Sequence, residues 1–567
     1  MTCDTLNPMP GAAAFRRPAD QVMQLPRLGV SHPTRLSFLR QMLRRLQSEA
    51  WVFDRPVWQI DARGVGRATY RAVGRERSYT LVAFAHDLPA DQRSDRVIAT
   101  AWDATFVLYD GTPTQEDLDR LAANVPLQEA GRISPRELTL SRANRSVRLF
   151  DHVIDKLALG QQPDAALLEQ TGYLMRTTAV YGSGKFGAAD RCTVATRPEL
   201  AAPFQAEMLT VWFIRAFSVD LVEHLAQIRG GGVAVRLNPE LRRGLGVGNS
   251  TGLGMAPFLI RHPILLNNWI MAREEALARV RALPIACNDS QTAFAQALSE
   301  ARGNAAHWQS GHPLQVTRLA GLRADLSAIA DHLAQEPDVL SAPHPWDRLW
   351  RWGQEHLQTE GQEALLALLL EPQGALVDGL GDCMQADEDA GFALQGAMSL
   401  ADLRAILVKH YGWAQAFDFT DPAVSARFWY VSEEKHEPRL GQRQTEEGAA
   451  REEPLDIARQ AQALAADLCG ACVETVAEFA LLYPQHRMMI RRAQISARHP
   501  YAEIQANLLA EDMLPIDLLR CKLAFFGASR FDPRSDRWVR ISLFQGAPFP
   551  DEMVGAALNP SGQHQYG

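Results

Sequence analysis

The order of apolar and polar positions divides the chain into unlike parts. Residues 1–33 are rich in proline, carry no period and read as an irregular arm. In 34–50, Leu36, Leu39, Leu43 and Leu46 recur at helical spacing behind Thr34, which predicts an amphipathic helix. The pattern then becomes that of strands. WVFDRPVWQID, VGRATYRAVG, RSYTLVAFAHDL and RVIATAWDATFVLYDG, all between 51 and 111, are β-branched and aromatic runs parted by Gly, Pro and charged turns. They predict a four-stranded antiparallel meander, closed by a short helix, TQEDLDRLAANV, with Thr114 as its cap. Residues 34–130 therefore read as a small α+β domain.

From residue 140 onward helical periodicity dominates, over 144–159, 164–178, 203–228, 263–283, 289–302, 313–334, 345–370, 399–410, 455–483 and 499–510. One late strand is predicted at 537–546. The stretch 433–454 holds seven acids and four bases with almost nothing apolar, as expected of a charged linker or loop. The fold class this predicts is mainly α-helical, with a small N-terminal α+β domain (antiparallel meander) and a large helical body. The body spans 140–432, and a C-terminal helical segment spans 455–567.

Composition narrows the function classes. Of 567 residues, 47% are apolar and 22% charged, the balance of an ordinary globular protein, which excludes disorder as the main state. Lys and Arg number 58 against 66 Asp and Glu, a net charge of −8, so a nucleic-acid partner is not expected. The longest apolar attempt, MAPFLIRHPILLNNWIMA, is broken by Arg261, His262 and Pro263, so no membrane partner is expected either. The N-terminus carries an acid and two prolines where a signal peptide needs an apolar core, and the seven cysteines are odd and scattered. A cytoplasmic protein, open to homo-oligomerisation, is the expectation. Cys469-Gly-Ala-Cys472 matches C-x-x-C but lies in a helical run without a second pair, which reads as core cysteines.

Two stretches break their local rules in a way that suggests chemistry. In GYLMRTTAVYGSGKFGAADR (172–191) a helical start gives way to Gly182, Gly184 and Gly187, flanked by basic residues. Exposed N–H groups next to cations form an anion cradle. Arg176 and Arg191 would clamp the anion, and Lys185, Tyr173 or Tyr181 would move a proton. Lys185 is one of only five lysines among the 58 basic residues, and lysine, unlike arginine, can lose its proton. GSGKF lacks the spacing of a phosphate-binding Walker loop. The second stretch, GLGVGNSTGLGMAPFLIRHP (244–263), offers Asn249, Ser250 and Thr251 ahead of a helix. Its order resembles the G-S-S-x-M-P-x-K-x-N-P loop of the aspartase/fumarase lyases, with the loop lysine missing and an insertion in the spacing. The resemblance implies a serine base on a mobile loop of a helical-bundle enzyme.

Between them, PFQAEMLTVWFIRAFSVDLVEHLAQI (203–228) is apolar nearly all round. Glu207 and Arg215 share one face, as an ion pair or with Glu207 as a general base, while Asp220, Glu223, His224 and Gln227 share the opposite one. The functional expectation is an enzyme acting on a small anionic, carboxylate-bearing molecule by acid–base chemistry, elimination or lyase chemistry being favoured. The catalytic candidates are Lys185, Tyr173, Tyr181 and Glu207, and the binding candidates are Arg176, Arg191, Asn249, Ser250 and Thr251. No metal site is expected, and the cofactor is left open. The alternatives are an oxidoreductase holding a flavin or other phosphate-bearing cofactor in the glycine loops, and a non-enzymatic helical ligand-binding or scaffold protein.

Overall fold

A computed structural model describes residues 12–30, 32, 34–89, 101–127, 131–177, 189, 191–194, 196–252, 262–385, 392–421, 429–431, 438–440, 453–504, 515–528, 530–533 and 538–553. The meander is present: β1 (Val52–Ile60), β2 (Gly66–Val73), β3 (Ser78–Ala85) and β4 (Ala104–Asp110) pair antiparallel in sequence order. It does not end there. β5 (Glu137–Arg145), β6 (Tyr173–Thr177) and β7 (Gly246–Gly252) continue the sheet, and two late strands, β10 (Arg530–Pro533) and β11 (Trp538–Leu543), close it. The result is one nine-stranded sheet in the order β1-β2-β3-β4-β5-β6-β7-β11-β10, antiparallel throughout except for the parallel β6–β7 pair. A separate two-stranded pair joins β8 (Trp429–Val431) to β9 (Pro438–Leu440).

This overturns the mainly helical fold class with its small antiparallel meander domain. Helix makes up 58% of the structure, but the sheet is large, mixed, and built from segments far apart in the chain. The run 164–178, read as one helix, is a helix only to Thr171. Gly172 caps it in the left-handed conformation (φ +76°), and the chain turns into β6. The glycine-rich run 246–252, read as a loop, is a strand hydrogen-bonded on both sides, to β6 and to β11.

A central helix, Gln205–Gly230, lies across the sheet against β3 to β7 and against the helix Phe150–Ala158. The apolar surface of its first half is explained by burial around most of its circumference: Trp212, Phe213 and Phe217 are fully buried, with Phe53–Trp212 and Phe106–Phe217 rings edge to face at 4.9 and 5.5 Å. The outer face of β3–β5 is covered by the helix Gln115–Asn124, where Thr114 and Asp117 form a capping box.

A second core fills a helical body whose centre is the helix Pro263–Arg281. Two helices serve both cores. In Phe38–Ser48, Phe38 faces the helical body while Leu39, Met42 and Leu46 face the sheet; in Pro515–Phe526, Phe525 and Phe526 divide in the same way. Phe204 packs against both cores and meets Phe38 and Phe526 edge to face at 5.6 and 4.7 Å.

Within the described part of the N-terminal stretch, Val22, Leu25 and Leu28 are fully buried in the helical core. Cys469 and Cys472, read as core cysteines, are free and exposed: Cys469 is on the outer face of the helix Glu453–Gly470, and Cys472 lies beyond its end. No single helix among the described residues is long and apolar enough to cross a membrane. One bent pair, Thr359–Leu370 with Gly374–Met384 at 98°, has the length and composition, and its leucines belong to the buried helical core.

Candidate functional site

A concavity of about 570 Å³ opens where the C-terminal half of the central helix passes β1 and β2. Its remaining wall comes from the 235–242 segment and from Pro550 and Asp551. The polar stripe Asp220, Glu223, His224 and Gln227 of the central helix forms one side. These residues lie at i, i+3, i+4 and i+7, so one helical face presents them together.

Asp220 is the most elaborated group. Tyr70 donates its phenol to Asp220 Oδ2 at 2.6 Å, and Arg55 donates to the same oxygen at 2.8 Å. Among the described residues nothing is bonded to Oδ1. Burial pushes the Asp220 carboxyl above the usual range, opposed by the Tyr70 hydrogen bond and the Arg55 charge. Burial and the neighbouring Asp220 charge raise the Tyr70 phenol well above its ordinary value, so it stays a neutral donor.

Glu223, one turn on, accepts from the Leu237 N–H at 3.1 Å and is likewise pushed up by burial. His224 Nδ1 accepts from the Trp58 indole at 3.4 Å, and Nε2 faces the Asp61 carbonyl at 3.4 Å. The Arg55 guanidinium lies 4.5 Å over the Trp58 ring. Four carboxylates (Asp54, Asp220, Glu223, Asp551) and three guanidiniums (Arg55, Arg236, Arg242) line the cleft, so its charges nearly balance.

The back wall is anchored by Arg215. The expected Glu207–Arg215 ion pair is absent. Arg215 is fully buried and donates to the carbonyls of Leu245 at 2.6 Å, Ala547 at 2.7 Å and Arg243 at 3.1 Å. Its guanidinium also stacks on Phe549, whose ring Arg242 covers as well, at 3.8 and 4.0 Å. Arg242 then pairs with Asp551 at 2.9 Å on the cleft rim. Burial without a carboxylate partner pushes Arg215 down to about 9. Glu207 sits half-buried near the start of the central helix, two turns before Arg215, and does not line the cleft.

The other candidates are distributed as follows. Because β6 and β7 are parallel neighbours, the two singled-out stretches do meet: Tyr173 pairs with Gly246 and Arg176 with Gly248. Asn249 is buried, and its Nδ2 has no hydrogen-bond partner among the described residues. Ser250 and Thr251 stand in β7 opposite Arg540 and Val539. Arg191 begins a short helix, Arg191–Val194. Tyr181 and Lys185 lie outside the described residues.

Glycines 246 and 248 have a packing reason. A Cβ on Gly248 would stand 2.6 Å from the Tyr173 ring, and one on Gly246 would stand 2.4 Å from the Leu543 carbonyl oxygen. The G-N-S-T of the lyase-like loop therefore belongs to a sheet strand. Sequence reasoning identified the stripe Asp220–Gln227 as a face but did not assign it a site. The available signal was four polar residues gathered on one side of an otherwise apolar helix. Tyr70, Arg55 and Trp58 gave no such signal, since alternation alone accounts for them. No group of His, Cys, Asp and Glu among the described residues has the arrangement of a metal site. Comparison with family models, with characterised proteins and with solved structures finds no match for this chain.

Proposed function

We propose that the chain is an enzyme that moves a proton on a small polar molecule bound in the central-helix cleft, with Asp220 as the base. What supports this is one carboxyl: raised by burial, fixed through Oδ2 by Tyr70 and Arg55, and with Oδ1 left for a substrate. Fixing one oxygen holds the other in position, as a general base requires. His224 and Glu223 stand on the same face as second proton-handling groups, and the Tyr70 phenol can stabilise charge developing beside Asp220. The balanced lining favours a neutral or zwitterionic compound, with a carboxylate facing Arg236 and Arg242 and an apolar part against Phe53 and Val235. Carboxylate-bearing substrates thus stay within the reading, while a strongly anionic one does not suit this cleft.

The test is differential turnover. Wild type and Asp220→Asn are each incubated with a small-metabolite extract, and depletion is followed by mass spectrometry. Wild type is expected to consume at least one compound, and Asp220→Asn to slow that consumption about 10²–10⁴-fold, the usual contribution of a general base. Equal consumption by both would place the chemistry elsewhere. Ligand-induced thermal stabilisation without turnover would make this a binding protein.

A further inference from the structure

A second, much smaller concavity lies at the other end of the sheet, and its charge is not balanced. It is a crevice of about 40 Å³ between the end of the helix Ala165–Thr171, the start of β6, the turn at Ser146–Arg148 and the outer strands β10 and β11. Three guanidiniums line it, Arg148, Arg530 and Arg540, against one carboxylate, Asp532. Asp532 already accepts from Ser310 Oγ at 3.0 Å. Arg148 and Arg530 form no ion pair among the described residues. Burial lowers the Arg530 guanidinium from its ordinary value, even with Glu169 and Asp532 nearby to oppose the shift. Thr171 Oγ1, on the crevice wall, is buried without a hydrogen-bond partner among the described residues.

Guanidiniums that line one crevice attract a group of opposite sign. The register fixes where two of these arginines stand. Across the β10–β11 ladder Arg530 stands opposite Ser542 and Asp532 opposite Arg540. Both arginines therefore stand on the paired strands at the edge of the sheet. The space is about three times that needed for one water, the size of a single tetrahedral oxyanion. Guanidinium forks and hydroxyls are the donors that such a group prefers.

We propose that this crevice is a binding site for one tetrahedral oxyanion of the phosphate type, held by Arg148, Arg530 and Arg540 with Thr171 as hydroxyl donor. It is distinct from the central-helix cleft and does not depend on the activity proposed there. The oxyanion is either a free ion or the terminal group of a small monoester that extends out of the crevice mouth.

The experiment is a thermal-shift titration of the full chain with inorganic phosphate and, separately, glycerol phosphate, against sodium chloride at matched ionic strength. Phosphate is expected to raise the melting temperature saturably, on the order of 3 °C at a hundredfold excess over Kd. Arg148→Gln, on the exposed rim, and Arg530→Gln should each weaken the apparent affinity at least about tenfold, as losing one charge-assisted bond does. Asp220→Asn should leave the shift unchanged. A larger shift with glycerol phosphate than with phosphate identifies a monoester ligand, and the reverse identifies the free ion. Absence of any shift beyond the chloride control overturns the proposal, as does an apparent phosphate affinity left unchanged in Arg148→Gln. The exposed Arg148 variant decides the matter even where Arg530→Gln does not fold.

Discussion

At the scale of single residues, the chain hides its most consequential groups behind ordinary patterns. Tyr70 reads as an alternating strand aromatic and Arg55 as a charged residue beside a proline, yet both converge on Asp220 Oδ2. Their roles make a pH prediction with a definite sign. Burial raises the Asp220 carboxyl, while the Tyr70 hydrogen bond and the Arg55 charge hold it down. If ionised Asp220 is the base, activity falls as pH drops through that raised value. Tyr70→Phe removes a stabiliser of the ionised form, so the acid limb of the rate profile should move to higher pH; Arg55→Gln should move it the same way. A profile that stays fixed in both variants would remove Asp220 from the proton path. Arg215 is the matching structural case. Each of its three nitrogens donates to carbonyls of the 243–245 and 547–548 segments. Arg215→Met keeps the apolar stem but leaves those carbonyls buried and unbonded. It should cost about 2–4 kcal/mol in denaturant unfolding and loosen the cleft wall that Arg242 and Asp551 complete.

At the scale of elements, β7 shows how a strand can look like a loop. GVGNSTG has no alternation of apolar and polar residues, and its glycines suggest a flexible turn when read alone. In the fold the segment is clamped between β6 and β11, and the Tyr173 ring occupies the space that a side chain at 248 would need. No unusual backbone angle is involved at Gly248, so the demand is purely one of close approach. Gly248→Ala should therefore destabilise by about 1–3 kcal/mol through overpacking. Combined with Tyr173→Ala, the loss should be less than the sum of the two single changes, since the clash is then gone. Additive losses by chemical denaturation would show that the two residues do not meet as described. The central helix is the opposite case, since length, apolar surface and polar stripe were all legible. What its sequence lacks is any sign of which end faces a cavity, so the candidate base falls on Glu207, whereas the cleft lies at Asp220.

At the scale of the whole molecule, two cores are joined by two helices that face both and by Phe204, which packs against each, and Val22, Leu25 and Leu28 are inside one of them. Arg17 is fully enclosed. It donates to both oxygens of Glu274 at 2.7 and 2.6 Å and to Glu363 at 2.9 Å, while Tyr501 donates to its carbonyl at 2.8 Å. It ties the helix Pro263–Arg281 to Thr359–Leu370 and to the chain near residue 501. Arg17→Met would leave Glu274 buried without its main counter-charge and should cost about 3–5 kcal/mol. Arg17→Met with Glu274→Met removes both charges and should recover much of that loss. A double variant no better than the single one would mean that packing, and not charge, holds the segment in place.

The division between what was legible and what was not follows the range of the interactions. Where neighbours in sequence decide, the chain alone sufficed: the meander between 52 and 110, the helix Gln115–Asn124 with its Thr114 cap, and the long apolar helix with Asp220, Glu223, His224 and Gln227 on one face. Where partners come from hundreds of residues away, it did not. The strands 137–145, 173–177, 246–252 and 530–533 are strands because each completes a ladder with another. A short run of mixed polarity has no preference strong enough to show that by itself. The same holds for the arm, whose proline-rich sequence predicts irregular structure until Glu274 and Glu363 require an arginine between them. Local propensity and period are properties of the chain. Pairing, close approach and charge neutralisation exist only once the tertiary structure has brought the partners together, and those three decide the cleft, the crevice and the sheet.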